Sequence, residues 1–325
     1  MTKLVEIQGF PAGDRERGDW YGEQLEKGNI LFFPMTPFEF PAEHVEFVLS
    51  QRQSGAAYHK NIAYRPGQDR LTGFAKHGRE EEETLRAAMR CYSERATWFL
   101  SQSLPQYAAS WKIDFASFRP QEEEGRQIRL RARNDLLHVD SFPTRPTNGD
   151  RILRFFTNIN PSTPRVWLTG ETFEGLAKRI PRLPASEPSA GMTAPRESGT
   201  LEGARAFLPR PESMTKRATR SFIRLARSAG VPMADRSPYD EFMHRLHNYL
   251  KQDAAFQEAC PKTRWEFPPK SSWIVFTDMV SHAVLSGQFA LEQTYIVSRG
   301  SLLLPHKAPA SILAEMVGHP VTLDR

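Results

Sequence analysis

The sequence predicts an α+β fold in which helices flank a β-sheet core. Residues 79–103 carry the clearest helical signal, because an acidic opening run is followed by apolar side chains at helical spacing. From residue 128 the pattern changes to the alternation of strands, and residues 152–159 are rich in β-prone side chains. Helical periodicity then interrupts this pattern before strands return after residue 272, which predicts a helical insertion in the sheet core.

We expect one domain over residues 1–325, since a chain of this length can bury a substantial core. Its N-terminal part, about 1–125, is expected to be helical. The sheet core is expected at about 126–300, with the insertion at about 179–262. No glycine-rich phosphate loop stands between a strand and a helix, which argues against the nucleotide-binding folds that need one.

The boundaries of the elements follow from the same periodicities and from the residues that end them. Residues 179–213 are rich in Pro, Ser, Gly and Ala and predict a long loop. Predicted helices cover residues 41–53, 79–103, 213–229, 238–260 and 309–317, and predicted strands cover residues 30–34, 128–132, 152–159, 272–277, 282–285 and 289–297.

Composition limits the classes of function. No segment approaches the roughly 20 apolar residues that span a bilayer, and the N-terminus does not resemble a secretion signal. Cys91 and Cys260 match no metal-binding spacing, so they are expected to be free thiols in a reducing, cytoplasmic compartment. The net charge of +5 favours anionic partners, but no nucleic-acid-binding motif accompanies it, and nucleic acid is not an expected partner.

A candidate metal site lies in the segment Leu136-Leu-His138-Val-Asp140. Because residues i and i+2 of a strand point to the same face, His138 and Asp140 would project together. One imidazole and one carboxylate are two of the three ligands in the facial triad that holds non-haem Fe(II). The open positions of that triad suit a 2-oxo acid and dioxygen. So short a motif is common by chance, and a distal histidine is needed to support it.

His282 is the predicted third ligand, because it lies on a late strand of the core. A double-stranded β-helix, or jelly roll, brings early and late strands together at its mouth. The alternative for His282 is a core histidine with satisfied hydrogen bonds. His244 and His247 are three residues apart on a predicted helix without the glutamate of an HExxH zinc motif, so we interpret them as surface or packing residues.

A 2-oxoglutarate enzyme also needs a cation for the distal carboxylate of its co-substrate. Arg154 lies within an apolar strand and shares a strand face with Asn158, which makes both residues candidates for cofactor binding. A structural ion pair is an equally supported interpretation of Arg154, because a buried charge needs a partner. Arg299, after the strand that follows His282, is the rival candidate.

Several longer blocks resemble the Kdo 3-hydroxylases, which act on 3-deoxy-D-manno-oct-2-ulosonic acid (Kdo) in the lipopolysaccharide inner core. The resemblance runs from near residue 58 to the end and so covers most of the chain. The blocks that carry it are residues 59–64, 71–73, 137–143, 151–161, 167–173 and 275–294.

The resemblance implies a jelly-roll core and an enzyme that uses Fe(II), 2-oxoglutarate and O2. It implies hydroxylation of Kdo at carbon 3 in lipid A-linked core, giving D-glycero-D-talo-oct-2-ulosonic acid (Ko) with succinate and CO2. By the matching motif, the iron ligands would be His138, Asp140 and His282.

The implied substrate is a Kdo-containing lipid A precursor, whose carboxylate and phosphates call for cationic contacts. His59, Lys60 and Asn61 are the candidate substrate-binding residues, with Lys60 first for the sugar carboxylate. An exposed loop is the alternative for this segment. The positive net charge is compatible with peripheral contact between a cytoplasmic protein and the inner membrane.

Three other functions agree with the same residues. The enzyme class is kept but the substrate changes if the chain hydroxylates another sugar or a small metabolite. A cupin-like binding module with a degenerate metal site would be non-catalytic. Two histidines with one carboxylate can also hold zinc, so a zinc hydrolase is the third alternative.

Overall fold

The computed structural model describes residues 2–9, 14–54, 61–75, 78–181, 200–211 and 235–324. Its strands are β1 Leu4–Glu6, β2 Ile30–Phe33, β3 Ile62–Arg65, β4 Arg70–Thr72, β5 Lys112–Arg119, β6 Arg151–Asn158, β7 Arg165–Thr172, β8 Thr263–Phe267, β9 Ser272–Phe276, β10 Val280–Ser286 and β11 Ala290–Val297. Its α-helices are α1 Arg15–Glu26, α2 Ala42–Ser50, α3 Arg79–Ser103, α4 Pro105–Ala108, α5 Phe173–Lys178, α6 Glu202–Arg205, α7 Pro238–Gln252, α8 Ala254–Ala259 and α9 Pro309–Val317.

The strands form two sheets that enclose the core. The larger sheet has the order β1-β2-β9-β6-β11-β5-β3-β4, and the smaller has the order β10-β7-β8. Strands from early and late parts of the chain alternate in the larger sheet, as in β5-β11-β6-β9, where every pair is antiparallel. Sequence neighbours β9 and β10 therefore lie in different sheets, which is how a jelly roll is built.

Aromatic side chains join the two sheets. Phe156 of β6 stacks on Trp273 of β9, with ring centroids 5.2 Å apart, and meets Trp167 of β7 edge to face at 4.8 Å. Trp273 also stacks on Phe267 of β8 at 3.9 Å. Aromatic pairs at such distances add roughly 0.5–1.5 kcal/mol each beyond the burial of their area. The sandwich is therefore held closed beside the cavity between the sheets.

Helices cover the outer face of the larger sheet. Phe155, which points away from the cavity, packs on Phe99 of α3 and on Phe38, with centroid distances of 5.8 and 5.7 Å. β6 is buried on both faces for this reason. Among the described helices none is long and apolar enough to cross a membrane.

The N-terminal part is less helical than the sequence predicts. Residues 1–125 contain β1 to β5 as well as helices. β2 pairs with β9, and β5 pairs with β11, so these early strands extend the sheet core on both sides. β2 and β5 each pair with a strand more than 150 residues away in the sequence, and local periodicity does not reveal such pairing.

Two predicted elements differ in detail. Residues 128–132 form no strand; they contain a 3-10 turn at Leu130–Ala132, and Leu130 is 45% exposed. The alternation of apolar residues and arginines is not enough to form a strand there, because no described strand pairs with this segment. The predicted helix at 238–260 is broken at Asp253, whose side chain accepts a hydrogen bond from the Phe256 N–H at 3.1 Å and begins α8.

Most of the remaining predicted elements agree with the structure where it is described, but the predicted loop at 179–213 contains the short helix α6. The helices at 79–103 and 309–317 and the strands after residue 272 match α3, α9, β9, β10 and β11. The predicted helix at 213–229 lies outside the described residues, and so do residues 182–199 of the predicted loop.

Candidate metal centre and active-site cavity

His138 and His282 lie directly opposite each other on antiparallel segments. The His138 N–H donates to the His282 carbonyl at 3.1 Å, and the His282 N–H donates to the His138 carbonyl at 2.9 Å. Side chains of such a pair project from the same face, and here the two imidazole centroids are 4.7 Å apart. This backbone pairing places both predicted histidines at the β10 edge of the smaller sheet.

Asp140 completes the group. Its N–H donates to the Thr277 carbonyl at 2.8 Å, which holds the segment against the turn between β9 and β10. Its Oδ1 lies 3.7 Å from His138 Nε2, and its Oδ2 lies 4.0 Å from His282 Nε2. The three residues are all buried, so their donor atoms converge on a sheltered space.

Hydrogen bonds to the backbone orient both imidazoles. His138 Nδ1 is 2.7 Å from the Leu136 carbonyl, and His282 Nδ1 is 2.9 Å from the Val280 carbonyl. A carbonyl only accepts, so each Nδ1 carries the proton and each Nε2 lone pair faces Asp140. His282 is also stacked on Trp167 at 5.3 Å, which limits rotation of its ring.

The charge states also suit a metal. Burial, aided by the charge of Lys251, holds the pKa of His138 well below its ordinary value, and burial lowers the pKa of His282. Burial by itself would raise the pKa of Asp140, but the charge of Arg154 lowers it below the ordinary range. Two neutral imidazoles and one carboxylate fit Fe(II), because metals bind these forms and the triad leaves positions open.

Both amino groups of Arg154 contact carboxylates of the protein. One amino group lies 3.1 Å from Asp140 Oδ2, and the other lies 2.8 Å from Glu292 Oε1. Glu292 also accepts from Arg119 Nε at 3.1 Å. The resulting row, Asp140–Arg154–Glu292–Arg119, crosses the inner face of the larger sheet, and Arg154 is its member that orients the carboxylate of the candidate metal site.

A cavity of about 500 Å³ opens beside these ligands. Arg119 and Arg165 line it from the strands, and Arg131 and Lys251 line it from the other side. Arg165 is 1% exposed, donates to the Gly287 carbonyl at 2.7 Å and lies 3.7 Å from Glu123. Its Nε is buried and has no hydrogen-bond partner among the described residues. Burial and the nearby Arg119 lower the pKa of Arg165 to about 10.

The helical insertion supplies another wall of this cavity. His244, His247, Asn248 and Lys251 of α7 all line it. Donor atoms of His247, His138 and Asp140 lie within 4.8 Å of one another, so His247 competes with His282 geometrically as the second imidazole. We favour His282, because strand pairing and stacking on Trp167 both hold it in place.

Side chains of the insertion also form hydrogen bonds with the backbone along the outer edge of the metal-binding segment. His138 pairs with β10, so the backbone groups of Leu137 and Val139 face the opposite way. Gln257 accepts from the Leu137 N–H at 3.0 Å and donates to its carbonyl at 2.9 Å. His247 Nδ1 donates to the Val139 carbonyl at 2.7 Å. Side chains thus replace a missing neighbouring strand.

Comparison with known families decides what this centre belongs to. The model of the 3-deoxy-D-manno-oct-2-ulosonic acid (Kdo) hydroxylase family matches residues 11–320. The chain belongs to the Kdo hydroxylase family. Comparison with curated protein sequences gives no match.

Solved structures agree with this membership. The Kdo hydroxylase KdoO, a non-haem Fe(II) α-ketoglutarate-dependent dioxygenase, in complex with cobalt(II) is 33% identical, with a TM-score of 0.79 over 99% of this chain and 98% of that one. The same enzyme with α-ketoglutarate and Fe(III) is 32% identical, with a TM-score of 0.77 over 98% and 97%. The predicted family, enzyme class and jelly-roll fold are confirmed.

Within this Kdo hydroxylase fold, two predicted cofactor residues lie away from the cavity. Asn158 donates to the carbonyls of Thr163 and Phe267 and so stabilises the end of β6. Arg299 donates to Thr322 at 2.9 Å and lies 3.9 Å from Asp150. Among the described residues that line the cavity, neither Asn158 nor Arg299 appears, because hydrogen bonds hold each side chain at a turn beyond the end of a strand.

The predicted substrate segment is described only in part. His59 and Lys60 lie outside the described residues, and Asn61 lines the cavity. Arg165 and Lys251 were not predicted, and His247 is not the surface or packing residue that the missing HExxH motif suggested. A signal for the helix was present, since positions 244, 247, 248 and 251 have i, i+3, i+4, i+7 spacing.

We predict that Arg154→Met weakens metal binding by about 10–100-fold, because Asp140 loses the guanidinium that orients it. Competition of Co(II) between the protein and a chelating dye measures this. Arg119→Met is the matched control, since Arg119 pairs with Glu292 but not with Asp140. Equal loss in both variants would contradict a role through Asp140.

We predict that Gln257→Met lowers the free energy of unfolding by about 1–3 kcal/mol, because buried backbone groups of Leu137 lose their partner. Denaturant unfolding of the metal-free protein measures the change. Gln252→Met, at an exposed position on α7, is the control. No difference between the two variants would show that Gln257 does not support this edge.

Proposed function

We propose that this chain is an Fe(II)/2-oxoglutarate-dependent dioxygenase that hydroxylates Kdo at carbon 3 in lipid A-linked core, giving Ko, succinate and CO2. Membership of the Kdo hydroxylase family supports the reaction class and the sugar. The observation that carries the proposal is the convergence of His138, Asp140 and His282 in a buried cavity with cations on two sides.

His138, Asp140 and His282 would hold the iron through two Nε2 atoms and a carboxylate oxygen. When bound, iron with 2-oxoglutarate and O2 supplies the oxidising power that replaces a C–H bond by C–OH. Leu136 and Val280 keep the imidazoles turned toward the metal through their carbonyls, and Arg154 keeps Asp140 ionised and oriented. The aromatic wall around Trp167 excludes water from one side of the centre.

Arg165, supported by Arg119, is our candidate for the distal carboxylate of 2-oxoglutarate. Arg165 and Trp167 line the cavity from one face of β7, and Trp167 stacks on His282. Two strand residues span about 7 Å, which suits a ligand reaching from the metal to this guanidinium. Arg154 is less suitable, since both its amino groups already contact carboxylates.

A lipid A-linked substrate would be reached at a surface of anionic lipid. We propose a cytoplasmic enzyme that contacts the inner membrane peripherally while it acts on its lipid-linked sugar. The net charge of +5 supports this, because cationic proteins are attracted to anionic headgroups.

The first test is 2-oxoglutarate turnover by the Fe(II)-loaded protein with and without Kdo2-lipid A. We expect substrate-stimulated succinate and a lipid product heavier by one oxygen atom. Iron binding without stimulation would reject the substrate. Failure to bind iron would reject the metal centre itself.

The choice between the histidines is tested by iron content. We predict that His138→Ala and His282→Ala lose iron and succinate formation, because each removes one of only three protein ligands. His247→Ala is expected to keep its iron. Loss of iron from His247→Ala with retention by His282→Ala would reverse the assignment of the second imidazole.

The role of Arg165 is tested by equilibrium binding of 2-oxoglutarate to the Co(II)-loaded protein. We predict that Arg165→Met weakens binding by about 10–100-fold, since a charge-assisted hydrogen bond is worth about 1.5–3 kcal/mol. Arg165→Lys should recover part of the affinity because it keeps the charge. Unchanged affinity in a folded Arg165→Met protein would contradict the proposal.

A further inference from the structure

Helix α7 has two faces with different chemistry. Its apolar face is buried against the rest of the protein and consists of Phe242, Met243, Leu246 and Leu250. Its polar face lines the metal cavity and consists of His244, His247, Asn248 and Lys251. A helix needs only its apolar face for packing, so the grouping of donors toward the cavity calls for another explanation.

The polar face is held in a fixed position relative to the candidate metal. His247 donates to the carbonyl of Val139, the residue between two of the ligands, at 2.7 Å. Lys251 donates to the Arg131 carbonyl at 3.3 Å, which ties the helix to the turn before the metal-binding segment. Groups that are fixed in this way can orient a ligand at little further entropic cost.

Lys251 is the most unusual member of this face. Only 3% of its surface is exposed, although it lies in a cavity already rich in arginine. The hydrogen bond to Arg131 fixes its ammonium group at the wall of the cavity, where an entering carboxylate would meet a positive charge.

The cavity has cations on two sides. Arg119 and Arg165 belong to strands of the two sheets, next to the wall made by Trp167. Lys251 belongs to the insertion, and Arg131 to the turn that it contacts. The proposed reaction also brings together two acids, 2-oxoglutarate and the sugar acid. One set of cations for each acid would let both bind at the same time.

We propose that the polar face of α7 is the binding subsite for the sugar acid. Lys251 and Arg131 bind its carboxylate, and Asn248 bonds its hydroxyl groups. The inference rests on the proposed function and deepens it, because it assigns substrate recognition to the insertion and leaves the co-substrate to the strands.

The test uses Co(II)-loaded protein with 2-oxoglutarate, which reports binding without turnover. The probes are Kdo2-lipid A and its derivative with the terminal sugar carboxylate converted to an amide. We expect Lys251→Met to weaken binding of the acid about 10–100-fold, the loss expected for a charge-assisted hydrogen bond. Its affinity for 2-oxoglutarate should stay within about twofold of the wild type. Arg245→Met, an exposed cation on the same helix, should change neither affinity.

The amide separates a direct contact from a structural effect. The wild type should prefer the acid to the amide, whereas Lys251→Met should bind the two alike. An unchanged preference in Lys251→Met, or a loss confined to 2-oxoglutarate, would overturn the assignment. If the wild type binds iron and 2-oxoglutarate but neither sugar probe, it is the proposed function that fails, and the two failures are distinct.

Discussion

The reciprocal hydrogen bonds between the backbones of His138 and His282 are the interaction on which the centre depends. They join a segment that enters the core early to a strand that arrives late, and the same pairing sets both imidazoles on one face. A shift of one residue would put His282 on the opposite face from His138 and Asp140. The jelly roll serves the chemistry by fixing this register, because its antiparallel strands bring distant residues of the chain side by side.

The helical insertion belongs to the same arrangement. The segment that carries two ligands pairs with β10 on one edge only, and unpaired backbone groups on the other edge would be costly to bury. Gln257 and His247 bond those groups, so the insertion stabilises the ligand strand while it lines the cavity. Such a dual role couples the position of α7 to the candidate metal centre, because the same helix lines the cavity and supports the ligand segment.

The buried charged residues of the core differ in what they contact. Arg154 is held between Asp140 and Glu292, and Glu292 continues the row to Arg119. Arg165 has a buried Nε without a hydrogen-bond partner among the described residues, and Lys251 lines the same cavity from α7. An ion pair such as that of Arg154 with Asp140 orients a carboxylate, whereas a cation that lines a cavity can contribute binding energy to an anion. We therefore propose different roles for Arg154 and for the cations that line the cavity.

The sequence by itself determined much of the local structure and predicted the candidate ligand set. Strand alternation is enough to place His138 and Asp140 on one face, and periodicity is enough for α3 and α9, because both depend on neighbouring residues. Only the tertiary structure decided which cations face the cavity. Arg154 contacts Asp140, and Arg299 is hydrogen-bonded at a turn away from the cavity. Arg165 of β7 and Lys251 of α7 line the cavity instead. The physical reason is that a side chain's partner depends on strand order and helix docking, which are contacts between residues far apart in the chain.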